Sequence, residues 1–396
     1  MKFKGFTKKQ LLEIYQNMAM SRYLDDKQLI LLKQGKGFFH IGCSGHEAAG
    51  MAAALALKPG FDYAYPYYRD QAFCLGWGMT SRDHLLAFLA KEDDPSSGGR
   101  QMPQHYGHKE LKIVSQSSPT GTQFLQATGA GFALQKNGEN GVAYVSSGEG
   151  TSSQGDFHEA LNWASRDKSP VIFHIENNGY AISVPIEDQT AGASVYKISA
   201  GYDNLARFNV DGTDFFETHL AFKKAVERAR KGKGPSLIQS DVVRLLPHSS
   251  SDDQRKYRPE KDLEADRKRD PLLTFANTCI DEGIAKQEDF DKIRDMVKSQ
   301  VDEDAEWAEV QADPISGDGQ KNVYFDADWQ NDPGPNPTGG EKIVLVDAIN
   351  HALDEELTHN AKMMVYGQDV AGGKGGVFTA TRGLTDKYGE DRVFNS

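Results

Sequence analysis

Along the first part of the chain, apolar residues recur at helical spacing: Leu11, Leu12, Ile14, Tyr15 and Met18 predict an opening helix over about 7–34. Small residues crowd 47–57, which predicts a closely packed helix between two glycine- and aromatic-rich stretches, "GFFHIGCSGHEAAG" and "DYAYPYYRD". The run "FLQATGAGFALQKNG" predicts another small-residue helix, stopped at Gly138. From there the period switches back and forth. Apolar runs at 142–147, 171–176 and 236–245 predict strands, and helical patterns at 155–167 and 216–231 separate them. This alternation predicts an α/β fold, a parallel sheet with helices on both faces. Residues 259–311 are densely charged and helical in pattern, and are expected as a solvated arm with one packed stripe.

The pattern breaks at "WQNDPGPNPTGGEK", residues 329–342, where proline, glycine and asparagine mark a linker. Beyond it, "IVLVDAINHALDEEL" predicts an amphipathic helix and "AKMMVYG" a short buried strand, the start of a second α/β domain. The expected division is therefore 1–328, a linker at 329–342, and 343–396. The last segment is too short to bury a doubly wound core, so it is expected to dock on other protein or to be the first part of a larger domain.

Composition narrows the classes. Lys and Arg number 45 against 57 Asp and Glu, a net charge of −12, which argues against a nucleic-acid-coating surface but leaves room for a local basic pocket. The opening "MKFKGFTKKQ" is basic but leads into no apolar segment, so neither a signal peptide nor a membrane span is expected. Cys43, Cys74 and Cys279 are widely spaced, without a CxxC pair, as suits the reducing cytoplasm.

The candidate chemistry lies at two strand ends. Gly148, Glu149 and Gly150 close one predicted strand, and Asn177 and Asn178 close the next. A right-handed strand–helix–strand crossover sets Glu149 beside Asn178 at the carboxyl ends of neighbouring strands, where open α/β sheets bind ligands. One carboxylate, one carboxamide oxygen and nearby carbonyls form an all-oxygen donor set that suits Mg²⁺ or Ca²⁺, and Mg²⁺ shares its shell with phosphates. Amide donors of the helix after Gly150 favour an anion. The combination predicts a metal-bridged diphosphate. Rival phosphate motifs fail: no GxxxxGK[ST] occurs, and Ser153 stands where GxGxxG needs its third glycine.

This stretch resembles the thiamin diphosphate motif, which begins with Gly-Asp-Gly and closes with Asn-Asn. With Glu149 for the aspartate and "NNGYAIS" following, it resembles the decarboxylating component of the 2-oxo acid dehydrogenase complexes, the branched-chain branch above all. The resemblance implies Mg²⁺ held by Glu149, Asn178 and the main-chain oxygen of Tyr180. It places the diphosphate against Gly148, Gly150 and Thr151, with Tyr68 and Arg69 of "YYRD" in contact. "GRQMPQHYG" and "SSPTGTQ" resemble the loop that holds the aminopyrimidine ring, which implies Ser118 and Thr120 on the ring and Ser117, Pro119, Thr122 and Gln123 around K⁺. "RLLPHSSSDDQRKYR" resembles the active-site loop. Its His248 is implied as a catalytic acid or donor near the thiazolium, ordered by Arg244, Asp252 and Tyr257, and Ser249 matches the serine phosphorylated in regulated members. Glu176 departs from the pattern, standing where some relatives carry an arginine facing the diphosphate.

Residues 343–396 resemble the start of the family's β subunit, as in a fused single-chain form with most of the β part absent. The family's pyrimidine-protonating glutamate would lie past Ser396, so the chain by itself is expected not to turn over. The implied function is oxidative decarboxylation of a 2-oxo acid with acyl transfer to a lipoyl group. The implied partners are a lipoyl-bearing dihydrolipoyl acyltransferase and the remaining β part or a β subunit, in an α2β2-like or homodimeric assembly without nucleic acid or membrane. A pyruvate- or acetoin-directed enzyme of the same family, a NAD-binding Rossmann oxidoreductase and a non-catalytic remnant stand as alternatives.

Overall fold

In the computed structural model, which describes residues 2–321, 323, 340, 342–376 and 378–395, two units form: Met1–Lys321 and Asn322–Ser396. The first is built on five parallel strands, β1 (Tyr63–Tyr65), β2 (Ala143–Gly148), β3 (Val171–Asn177), β4 (Ala206–Asp211) and β5 (Ser236–Asp241), in the spatial order β1-β2-β3-β5-β4. Successive residues point to opposite faces. Tyr144, Ile172 and Ile238 enter one hydrophobic core, while Val145, Phe173 and Leu237 enter the other. Both faces are dry, which is why β2, β3 and β5 read as apolar runs rather than as alternating patterns.

The first core takes its helical side from α1 (Lys8–Lys33), α2 (Glu47–Ala54) and α3 (Gln71–Trp77), and the second from α4 (Thr122–Lys136) and α5 (Gly155–Asp167). Helices α6 (Phe215–Arg230) and α7 (Gln287–Glu309) complete the first core. α5 shows how sequence makes the packing. Phe157, Ala160, Leu161 and Ala164 recur on one face and are fully buried.

The structure corrects several expectations. β5 stops at Asp241, not at 245: its last partner is Asn177, after which the chain leaves the ladder and Leu245 N–H donates to Ser44 O (3.2 Å). β4 gave no apolar run because it is an edge strand, half exposed along most of its length. The helix expected at 155–167 is α5, and a 3₁₀ turn, Glu149–Ser153, precedes it, so the amides next to Gly150 belong to that turn rather than to α5. The Ser152 hydroxyl donating to Glu149 O (2.7 Å) holds the turn.

Residues 259–311 are no solvated arm. They form Glu260–Lys268, Pro271–Asp281 and α7, and Phe290, Val297, Val301, Ala305 and Ala308 of α7 are buried in the first core. The charges that gave the impression of an arm tie α7 to α1, as in Lys8–Asp289 (2.8 Å), and to the segment just after it, as in Lys36–Glu309 (2.5 Å).

In the second unit, helix Leu345–His359 precedes the strand Val365–Gly367, which pairs in parallel with Val393–Asn395 around Leu357, Leu384 and Val393. The first of these strands is half exposed rather than buried, with Tyr366 at 51%. All of the expected linker at 329–342 except Gly340 and Lys342 lies outside the described residues. Among the described residues no helix is long and apolar enough to cross a membrane.

Phe290 is fully buried and meets Tyr15 edge-on with ring centroids 4.6 Å apart. We expect Phe290→Ala to lower the unfolding free energy by about 3–5 kcal/mol in urea denaturation. A change below about 1 kcal/mol, the level typical of surface sites, would show that α7 is not part of the core.

Candidate functional site

The parallel register of β2 and β3 aligns Gly148 with Glu176, so that both strands end at one edge. There a cleft of about 410 Å³ opens, lined among others by Tyr68, Arg69, Ser118, Thr120, Gly148, Glu149, Gly150, Thr151, Asn178, Tyr180 and His248. Residues from five separate segments of the sequence thus meet in one place.

Glu149 is buried. Its Oε2 accepts the Asn178 amide N–H (3.1 Å), whereas Oε1 has no partner. Burial pushes this carboxyl up from its ordinary range, opposed by its own and the Asn178 amide and by the charges of Arg244 and Arg69. The two asparagines divide their work. Asn177 serves the sheet, donating to Asp241 Oδ1 (2.8 Å) and accepting Gly179 N–H (3.1 Å). Asn178 lines the cleft, its Oδ1 receiving Tyr180 N–H (3.2 Å). Gly150 is required sterically, since a Cβ there would stand 2.7 Å from that of Ala181.

Arg69 is buried with no carboxylate partner among the described residues. It donates to Gly42 O, to His248 O (3.0 Å) and to His248 Nδ1 (3.1 Å), and its Nε is unpartnered. That bond makes Nε2 the protonated nitrogen of a neutral His248. Arg244, also buried, donates to Ile182 O (2.9 Å) and to the Tyr257 hydroxyl (2.7 Å). The Tyr257 hydroxyl in turn donates to Asp252 Oδ2 (2.5 Å), which also accepts His248 N–H (2.9 Å). Arg244, Tyr257 and Asp252 therefore hold the His248 backbone, while Arg69 holds its ring. Burial first, then Arg69 and Arg244, pushes His248 down to about 4, with Asp252 pulling the other way.

Ser249 is buried and its hydroxyl lies 3.0 Å from that of Ser251. Ser117, Pro119, Thr122 and Gln123 share the turn into α4, where several of their polar atoms bond locally. Thr122 donates to Pro119 O (3.3 Å), and Gln123 Oε1 accepts Gly121 N–H (2.9 Å).

Three features escaped the sequence reading. Gln189 Nε2 clamps the turn after β2, donating to Glu149 O (3.0 Å), Gly150 O (3.2 Å) and Ser153 Oγ (3.0 Å). Beneath the cleft, Glu176 lies 2.5 Å from His46 Nδ1, fully buried. Burial, reinforced by Asp70, pushes the Glu176 carboxyl far up, and burial pushes His46 far down, so each is shifted towards its neutral form. Glu176 accordingly makes a partner of His46 rather than facing the cleft. Its signal was legible in principle: His174 and Glu176 alternate on one face of an otherwise apolar strand. His105, also lining the cleft, is the third.

Residues 15–315 match the family described as the dehydrogenase E1 component. The chain is 42% identical over 305 residues to the 2-oxoisovalerate dehydrogenase subunit alpha of Bacillus subtilis (strain 168), covering 77% of this chain and 92% of that protein. It is 34% identical over 298 residues to the pyruvate dehydrogenase E1 component subunit alpha of Staphylococcus aureus (strain Mu50 / ATCC 700699), covering 74% and 77% respectively. The chain belongs to the dehydrogenase E1 component family. It is an E1 α-type component of a thiamin diphosphate-dependent 2-oxo acid dehydrogenase, branched-chain-like, and its reaction is oxidative decarboxylation of a 2-oxo acid. The nicotinamide-dinucleotide alternative is set aside by that membership.

For this E1 chain the His248 environment has a pH consequence. Between the ordinary histidine value of 6.5 and about 4, the unfolded chain takes up a proton at His248 that the folded chain refuses. Stability contributed by this group therefore falls as pH falls through that window. Urea denaturation of wild type and His248→Gln between these limits checks it. The variant is expected to lose up to one proton of pH dependence, and parallel curves would contradict the buried neutral ring.

Proposed function

We propose that the cleft holds thiamin diphosphate by its diphosphate end, through Mg²⁺ coordinated by Glu149, Asn178 and the main-chain oxygen of Tyr180. The observation that carries this reading is the unpartnered, buried Glu149 Oε1 in the field of two buried arginines that lack carboxylate partners among the described residues. A lone carboxylate oxygen without a donor asks for a cation, and Arg69 without a counter-charge asks for an anion. A metal carrying phosphate oxygens satisfies both. Mg²⁺ needs few protein ligands when substrate phosphates and water complete its shell, in keeping with the absence among the described residues of any cluster of three or more His, Cys, Asp or Glu side chains placed to hold a metal.

In this reading Tyr68, Arg69, Gly148, Gly150 and Thr151 meet the diphosphate, and Ser118 and Thr120 meet the aminopyrimidine ring. Bound thiamin diphosphate supplies the electron sink for loss of CO₂. The protein's part is orientation and proton placement. Arg69 holds the His248 ring through Nδ1, leaving Nε2–H as the donor for a substrate carboxylate or a lipoyl sulfur. K⁺ at Ser117, Pro119, Thr122 and Gln123 is a further element of the proposal, as is a cytoplasmic location, which the free, buried Cys43, Cys74 and Cys279 support.

The substrate we propose is a branched-chain 2-oxo acid. The higher identity to the 2-oxoisovalerate enzyme's subunit than to the pyruvate enzyme's supports it. Residues 343–396 are proposed as the start of a β-like pyrimidine-binding domain, supported by their helix and parallel strand pair. The proposed partners are further β protein and a lipoyl-bearing acyltransferase, in an α2β2-like or homodimeric assembly.

Calorimetry and thermal shift of the full chain test the cleft. Thiamin diphosphate and Mg²⁺ together are expected to stabilise it, and neither alone to do so. Glu149→Ala is expected to weaken this binding roughly a hundredfold, the scale for removing one member of a buried charge pair. Wild-type affinity in that variant would remove Glu149 from the metal site.

A further inference from the structure

Gln189 ties together two segments that each bring residues to the cleft. Glu149 stands in the turn after β2, whereas Asn178 and Tyr180 belong to the segment after β3. That second segment folds on itself. Tyr180–Ala181 pairs antiparallel with Val184–Pro185, Ile186 N–H donates to Gly179 O (3.0 Å), and the short helix Ile186–Gln189 follows. Gln189 therefore sits on the same small hairpin unit as Asn178 and Tyr180, and its side chain crosses to the Glu149 turn.

Gly150 lets the two segments touch, since a Cβ there would stand 2.7 Å from that of Ala181 and 3.7 Å from Gln189 Oε1. Across this contact Gln189 Nε2 donates to Glu149 O (3.0 Å), Gly150 O (3.2 Å) and Ser153 Oγ (3.0 Å). The two carbonyls only accept, so the nitrogen of the amide faces them. Oε1 is then left buried without a partner among the described residues, at a cost of order 1–3 kcal/mol. An apolar side chain of the same length avoids that cost, so the donated bonds rather than packing account for an amide here. The hairpin is strained as well. Ile182 holds φ at +57°, which costs a β-branched residue of order 1–3 kcal/mol and persists only where neighbours enforce it. Arg244 holds its carbonyl (2.9 Å), and Gln189 fastens the other end of the unit.

We propose that Gln189 is a positioning residue that sets the spacing between Glu149 and the Asn178–Tyr180 segment, so that the site favours Mg²⁺ over the larger Ca²⁺. The proposal rests on the reading of the cleft as the site of Mg²⁺ and diphosphate. Mg²⁺ demands near-ideal octahedral geometry at about 2.0–2.1 Å, whereas Ca²⁺ accepts a looser set at about 2.3–2.6 Å. Ligands on two separate segments meet the stricter demand only when the segments are tied. The Asn178 N–H bond reaches the Glu149 side chain, and Gln189 holds the main chain beneath it.

The test titrates thiamin diphosphate into the full chain by isothermal titration calorimetry, with a fixed excess of Mg²⁺ or of Ca²⁺. Wild type is expected to bind more tightly with Mg²⁺. Gln189→Met keeps the length and removes the donor. Its Mg²⁺-supported affinity is expected to fall roughly ten- to a hundredfold, the range for removing a group that orients a metal ligand. Its Ca²⁺-supported affinity is expected to change by less than about threefold, under one ordinary hydrogen bond. Gln189→Lys restores a donor, and its added charge opposes both divalent ions alike, so the Mg²⁺ to Ca²⁺ ratio is expected to return to within about threefold of wild type. A purely structural role predicts neither the selective loss nor this rescue. If methionine destabilises the metal-free chain, Gln189→Asn, one methylene shorter than the span, repeats the measurement. An unchanged ratio in Gln189→Met or Gln189→Asn, or a wild type that prefers neither ion, overturns the role of Gln189 alone. Failure of wild type to bind thiamin diphosphate with either ion overturns it together with the cofactor reading.

Discussion

The site depends on the parallel register of β2 and β3. Aligning Gly148 with Glu176 sets Glu149 one residue past the end of its strand and Asn178 two past the partner residue, and the Asn178 amide then reaches the Glu149 carboxylate at 3.1 Å. The same register sends Val145 and Phe173 into one core and Tyr144 and Ile172 into the other. A slip of one residue exchanges the faces. Core packing and the proposed metal site are therefore one constraint, and the hydrophobic interior holds the carboxylate where it stands.

Charge compensation separates structural from functional polar groups. Arg22 meets Glu47 (2.7 Å) and Asp270 (2.8 Å), Arg230 meets Asp62 (2.6 Å), and Arg258 meets Asp266. These pairs hold elements together. Arg69 and Arg244, more deeply buried, have no carboxylate ion pair among the described residues; they donate to carbonyls, a hydroxyl and a histidine ring and stand over the rings of Tyr68, Tyr180 and Tyr257. Beneath them Glu176 is paired with His46 and shifted towards its neutral form rather than being offered to the arginines. The cleft thus keeps a positive charge that the proposed diphosphate would meet, and burial first, then that charge, pushes His248 down to about 4.

The strand ends were legible because Gly-Glu-Gly and Asn-Asn have no packing value at the close of apolar runs, and because a strand–helix–strand unit has one favoured hand. The central strands were legible for a related reason: two dry faces demand continuous apolar sequence. β1 and β4 were missed since a three-residue strand and a half-exposed edge carry no such run. The charged segment 259–311 misled because ion pairs to α1 and solvated charges look alike in one dimension. Gln189 and His46 escaped for the same reason, as their partners lie far away in the chain.

The sequence by itself determined the α/β class, the positions of the strand ends and the residue types that meet there, since periodicity and local turn chemistry are properties of neighbouring residues. Only the tertiary structure decided which buried arginines lack a counter-charge among the described residues and which carboxylate oxygen is left without a donor. Desolvation and hydrogen-bond satisfaction are set by every group packed around an atom, and most of those groups come from distant parts of the chain.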